Sequence, residues 1–316
     1  MNSNKIKIIK GVILEETGRQ KEAIALVNKE LKKKREINPS VFLALKLIQM
    51  ISYYDLREYE KCNSEFFSLI RNATYADLYE YGFLLRNAEL VLSYKESLPY
   101  FQESTKVFEK FGDLKQAAIS RITYGVHLGL IGKLNEAAKQ LRIAKSELAD
   151  FPTYKHVVLN NQAVVLLFQK DSSNKVAELL AEALITANLD FDKVVILINY
   201  LVLMDWRNED TKAIQAISSI EKILVNPSFA DKEIIRYAYF DIYKYYERKM
   251  DNDLAIIYRN KIDSLRLPIT PIWDFFLNGK PIPVDDKEYF RSTINRAISY
   301  ISCWTIDADS ILKHYK

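Results

Sequence analysis

A small residue recurs seven times along this 316-residue chain, and that recurrence restricts the fold more than any other feature. Ala23, Cys62, Ser97, Ala137, Val176, Ala213 and Ala255 stand 39, 35, 40, 39, 37 and 42 residues apart, and all but Val176 are Ala, Ser or Cys. Self-similarity at such a period marks an array of supersecondary units, each burying its apolar face against the next. The clearest copy surrounds Ala137: Tyr124-Gly125 and Leu128, then Gly132-Lys133-Leu134, then Leu141 and Ala144. This reads as two helices joined by a tight turn, with Ala137 where the helices approach most closely. Four residues after the reference positions come Val27, Phe66, Phe101, Leu141, Leu180 and Ile217, the inward row of each second helix, which Arg259 breaks in the last copy. Gly11 and Gly125 fall twelve residues before their references and Gly18 and Gly132 five before, so the first copy repeats the fourth.

Punctuation falls where this frame places boundaries, at Asn38-Pro39-Ser40, Phe111-Gly112-Asp113, Phe151-Pro152-Thr153 and Asn226-Pro227-Ser228. Only eight Gly and eight Pro in the chain, with 49% hydrophobic residues, argue for long helices over a turn-rich β fold. The expected organisation is an array over residues 1–266, followed by a distinct segment over 267–316. In that segment Pro268, Pro271, Pro281 and Pro283 interleave with Trp273, Phe275 and Phe276, too aromatic for a flexible linker. A last helix is expected after Asp285 and Asp286, carrying Phe290, Ile294, Ala297, Ile298 and Ile301, as a cap on the open end of the array.

The glycine on the first helix, the Gly-x-Leu turn, the small residue opening the second helix, and Ala144, Ala183 and Ser104 seven residues beyond it resemble the tetratricopeptide repeat over roughly residues 5–266. The first and fourth copies match best, the copies around Cys62, Ala213 and Ala255 lack both glycines, and every spacing exceeds the family's usual length of about 34 residues. The resemblance implies an all-α, right-handed superhelical solenoid of about seven repeats with a C-terminal helical cap. It also implies a concave groove lined by residues 18, 15, 11, 8 and 7 positions before each reference. Counted onto this chain, those positions select Tyr54; Tyr79, Arg86 and Glu89; Asn161 and Phe168; Asp205 and Trp206; and Tyr237, Phe240, Lys244 and Arg248. If Trp206 and Phe240 are exposed anchors, replacing both by alanine should abolish partner capture without lowering the melting temperature; if they are core, folding is lost as well. The same count gives an apolar strip of Ile119, Ile122, Val126, Val158, Val165, Val195, Ile198 and Val202, which needs covering by a partner or by the Trp273–Phe276 connector. Leu47 and Ile51 occupy the second-copy positions where some family members place a Lys and Asn clamp for a chaperone's C-terminal carboxylate, which argues against that role.

The chemistry-bearing motifs are absent. Gly132-Lys133 lacks the first glycine and the Ser or Thr of a phosphate-binding loop, since His127 and Leu134 stand there. His127, His156 and His314 have no helix-spaced partner ligands, and Cys62 and Cys303 neither pair nor sit beside other ligands in sequence. No metal, cofactor or catalytic centre is expected, and two isolated cysteines fit a reducing cytoplasm. A net charge of +4 gives no pull toward nucleic acid, and the one dense basic run, Lys29, Lys32, Lys33, Lys34 and Arg35, reads as a solvated helix end. The most apolar run, Val194 to Met204, is about half a bilayer span, so no membrane insertion is expected. The sequence therefore points to a protein- or peptide-binding scaffold, sensor or adaptor, acting with an effector chain in trans. Two alternatives stay open: an enzyme centred in residues 268–316, and a nucleic-acid-binding repeat protein.

Overall fold

The computed structural model describes residues 3–33, 37–92, 94–226, 232–269 and 271–280. Among the described residues there is no strand, and fourteen of the fifteen α-helices form seven consecutive antiparallel pairs. The chain divides into two compact units, Met1–Thr123 and Tyr124–Lys316. In the first, α1 (Ser3–Glu16) pairs with α2 (Gln20–Leu31), α3 (Pro39–Asp55) with α4 (Tyr59–Ile70), and α5 (Tyr79–Arg86) with α6 (Tyr94–Lys110), beside the start of α7 (Leu114–Leu130). In the second, the rest of α7 pairs with α8 (Leu134–Glu147), α9 (Lys155–Phe168) with α10 (Asn174–Thr186), α11 (Asp190–Trp206) with α12 (Asp210–Leu224), and α13 (Lys232–Arg248) with α14 (Asn252–Ser264). A short helix, α15 (Pro271–Asn278), follows. The helix expected over 285–301, and Cys303, lie outside the described residues.

The repeat frame is the packing frame. Six of the seven reference residues are wholly inaccessible and Ala255 is 6% exposed. In the row four residues on, Val27, Phe66, Phe101 and Leu141 are fully buried and Leu180 and Ile217 nearly so. Each pair thus closes on the small residue, with a large apolar side chain one turn later filling the space between the helices. The approach is tight at the glycines too. A Cβ on Gly125 would lie 3.1 Å from Leu141 and 3.4 Å from the Ala137 carbonyl, and one on Gly11 would meet Ile48 at 2.9 Å. In the second, fourth, sixth and seventh copies the spacing above the family's length accompanies a long first helix, since α3, α7, α11 and α13 each run to 17 residues.

The turn between the two helices of a pair is left-handed even where no glycine supplies it. Gly18 and Gly132 have φ of 76° and 81°, while Arg57, Asn208 and Met250, at the same place five residues before the reference, have 62°, 55° and 58°. Each is followed by an amide that reaches back five residues: Glu58 to the Tyr53 carbonyl at 2.8 Å, Glu209 to Met204 at 2.9 Å and Asp251 to Tyr246 at 3.0 Å, matching Lys133 to Leu128 at 2.9 Å. At these five turns the helix end closes with the same motif, and an L side chain there is strained by about 1–2 kcal/mol. Met250 is 82% exposed, so its side chain returns nothing through packing. Met250→Gly is expected to stabilise the fold by about 0.5–1 kcal/mol, after the greater unfolded-state entropy of glycine is deducted. A lower melting temperature for that variant would show the left-handed residue to be unstrained.

In the second unit α11 is enclosed. Every residue from Val194 to Asp205 except Tyr200 is buried, which accounts for the most apolar run in the sequence. Helices on every side do the enclosing, α10 and α12 as well as the first helices α9 and α13, and the Asn199 amide on α11 donates to the Asn160 side-chain oxygen on α9 at 2.9 Å. The apolar strip expected to need an external cover is thereby corrected. Val158, Val165, Val195, Ile198 and Val202 are already buried, Val165 lying 3.5 Å from where a Cβ on Gly129 would stand. Such long helices touch each other along faces that the family count assigns to an open surface. Among the described residues no helix is long and apolar enough to cross a membrane.

Candidate functional site

The candidate residues separate into three settings. Tyr54, near the end of α3, is core, 5% exposed and edge-on to Tyr59 at 5.7 Å. Tyr79, Arg86 and Glu89 come together in the first unit. Tyr79 opens α5, its ring edge-on to Phe83 and Phe108 at 5.4 Å and to Phe111 at 5.5 Å, and its hydroxyl donates to Asp113 Oδ2 at 2.7 Å. Burial and the Asp113 carboxylate both push the Tyr79 phenol well above its ordinary range, so it stays a donor. Two turns on, Arg86 lays its guanidinium over the Phe83 ring at 4.9 Å and donates to Gln116 Oε1 at 2.6 Å. Glu89 follows in a 3-10 turn (Asn87–Leu90), half-buried. Burial pushes its carboxyl up to about 7, against the opposing pull of Arg86. The result is a half-accessible face with an aromatic floor, one cation and one carboxyl that changes charge near neutrality.

In the second unit the candidates are more occupied. Asn161 donates its amide to the Val157 carbonyl at 2.9 Å, and Phe168 is half-buried at the end of α9. Asp205 is buried between Arg248 Nε at 3.0 Å and Lys249 Nζ at 3.3 Å, and Lys249 also reaches Asp210 at 2.7 Å. Trp206 beside it is half-buried. Lys244 pairs with Glu247 at 2.6 Å and lies 5.8 Å from the Phe240 ring. Tyr237 and Phe240 are 5% and 1% exposed and lie beneath Trp273 of α15, whose ring is 4.8 Å and 5.5 Å away respectively.

Several participants were not selected from sequence. Phe83, Phe108, Asp113 and Gln116 complete the first-unit face; Asp113 also caps α7, accepting from the Gln116 amide at 3.0 Å, a signal present in the sequence as an acid after Gly112. Arg236, Arg259 and Trp273 form the α15 contact, for which the broken inward row at Arg259 was the sequence trace. Burial pushes the Cys62 thiol up to about 12, which removes its nucleophile at neutral pH. His156 Nε2 meets Asp192 at 3.0 Å as an isolated pair, and among the described residues no group of three His, Cys, Asp or Glu could hold a metal. In the basic run, Lys33 is paired with Glu30, while Lys34 and Arg35 lie outside the described residues.

No family model matches the chain, and no curated protein matches it. Among solved structures it is similar to the apo form of RapI, with a TM-score of 0.57 and 14% identity, covering 84% of this chain and 98% of that one. The fold is that of a tetratricopeptide-like helical repeat protein. A putative kinesin light chain with nearly identical tetratricopeptide-like repeats, from Podosopora anserina, aligns at 10% identity over 73% of this chain and all of that one, with a TM-score of 0.37. In this repeat array the pairs are those already described: a small buried residue where the two helices approach, and a left-handed turn before it at Gly18, Arg57, Gly132, Asn208 and Met250.

Proposed function

We propose that this chain is a protein- or peptide-binding scaffold, a sensor or adaptor subunit that works through the array over residues 1–266 and passes its signal to an effector on another chain. The observation that carries the reading is the face made by Tyr79, Arg86 and Glu89. The Arg86 guanidinium lies over the Phe83 and Phe108 rings with the Glu89 carboxyl one turn on, a donor, an acceptor and an apolar bed for a peptide segment. Burial of the Glu89 carboxyl costs the fold stability at neutral pH, and a carboxyl held in that state beside a cation points to use. Similarity to RapI supports the same architecture, and the repeat surface suits extended or helical segments.

The test is capture by the intact protein from its native cell extract, with stoichiometric partners identified by mass spectrometry and their affinity then measured. Arg86→Gln is expected to weaken that affinity at least about tenfold, the usual size for a charge-assisted contact, with an unchanged circular dichroism spectrum. Equal affinity of the variant, or no stoichiometric partner in any extract, would count decisively against this reading.

A further inference from the structure

The most unusual contact in the second unit is the one that holds α15. Trp273 is 1% exposed, its ring enclosed by Tyr237, by Phe240 and by the Arg236 guanidinium at 4.3 Å. The same Arg236 donates to the Pro268 carbonyl at 2.9 Å, just before the helix. At the other end, Arg259 donates to the Leu277 carbonyl at 2.8 Å and to Asn278 Oδ1 at 3.1 Å, a cation placed at the negative pole of the helix. Two arginines and two aromatic rings of α13 and α14 therefore form a seat for a short helix. They grip it by one indole and by carbonyl oxygens.

Those are contacts that many peptides can offer. At eight residues α15 is too short to hold itself together in water, where isolated helices below about 12–15 residues are marginal. Two further polar links are internal: Asn278 donates to Asp274 at 2.6 Å and Lys280 pairs with Asp274 at 2.9 Å. In the preceding tether Arg266, Pro268 and Ile269 are exposed, and the Pro268 carbonyl is held by Arg236. A short tether of this kind presents α15 to its seat at an effective concentration of about millimolar, so its occupancy needs only modest intrinsic affinity.

We propose that the seat on α13 and α14 is an exchangeable helix-binding site and that α15 is its tethered resident. The partner it fits is a short amphipathic helix bearing a tryptophan or comparable aromatic, because leaving Arg236, Tyr237 and Phe240 uncovered exposes both apolar surface and a desolvated cation. Acceptor groups at that helix's C-terminal end satisfy Arg259. Binding of such a partner displaces α15, and any state that releases α15 binds the partner more tightly. This deepens the peptide-binding reading by naming the chemistry recognised in the second unit. Its failure would leave the first-unit reading standing, since Arg86 and Glu89 take no part in the seat.

The experiment uses the full chain and a fluorescein-labelled peptide of residues 268–280, with fluorescence anisotropy as the readout. Trp273→Ala releases the resident indole, so the labelled peptide is expected to bind that variant at least about tenfold more tightly than wild type, which competes with itself. The same peptide carrying Trp273→Ala is expected not to bind. Should the Trp273→Ala protein lose helical content, Asp274→Pro provides the second variant: proline in the body of α15 breaks that helix and leaves α13 and α14 untouched. Absence of peptide binding to either folded variant would overturn the proposal, and so would equal binding to variant and wild type, which would place the contact elsewhere.

Discussion

Phe240→Ala is expected to lower the stability of the protein by about 3–5 kcal/mol, the range for emptying a large aromatic site in a core. The side chain is 1% exposed, edge-on to Trp273 at 5.5 Å, and its removal leaves a cavity beneath a tryptophan that cannot collapse inward without losing Arg236 and Tyr237. Trp206, half-buried at the end of α11, is the contrasting case: Trp206→Ala should cost about 1 kcal/mol. The two residues, which the family count places in one groove, thus belong to different environments. Urea unfolding of the single variants separates them, and an unchanged midpoint for Phe240→Ala would contradict the buried position of that ring.

That contrast shows where sequence reasoning works for a helical array. The small reference residues were legible because intimate helix pairing tolerates nothing larger; the structure buries them all. The inward row was legible by the same spacing, and even its break carried information, since Arg259 leaves the core in order to hold α15. Turn chemistry was legible only in part. Gly18 and Gly132 announce a left-handed residue, whereas Arg57, Asn208 and Met250 adopt one without any signature, because the five-residue-back amide bond depends on where the helix stops and not on which side chain sits there. The candidate site was the least legible. Accessibility at the counted positions depends on how closely successive first helices lie, and that is a tertiary property: Asp205 and Val202 are buried by neighbours, Tyr237 and Phe240 by a segment more than thirty residues downstream. Tyr79, Arg86 and Glu89 were selected as neighbours in sequence and share one half-buried face, whereas Tyr237 and Phe240 share a covered one.

Glu89 gives the protein a specific dependence on pH. Burial raises its carboxyl from an ordinary 4.5 to about 7 in the folded state, with Arg86 pulling the other way. A folded-state value above the unfolded one means the native protein binds the proton more tightly. The associated stability is fully present below pH 4.5 and is lost progressively as pH rises through 7. Glu89→Gln keeps the shape and the hydrogen-bonding capacity of the neutral acid but cannot ionise. The variant should therefore match wild type at pH 4.5 and exceed it by about 1–3 kcal/mol at pH 8, the upper figure being the full equivalent of the pKa difference and the lower allowing for water reaching a half-buried group. Removing the nearby cation should shift the effect in a defined direction. In an Arg86→Met background the carboxyl rises further, so the loss of stability still begins near the unfolded-state value but continues to a higher pH, and the gain from Glu89→Gln at pH 8 increases. Denaturant unfolding at half-unit pH steps measures wild type, the two single variants and the double variant, and a wild-type to Glu89→Gln difference that stays constant between pH 4.5 and 8 would show that this carboxyl has the same pKa in the folded and unfolded states.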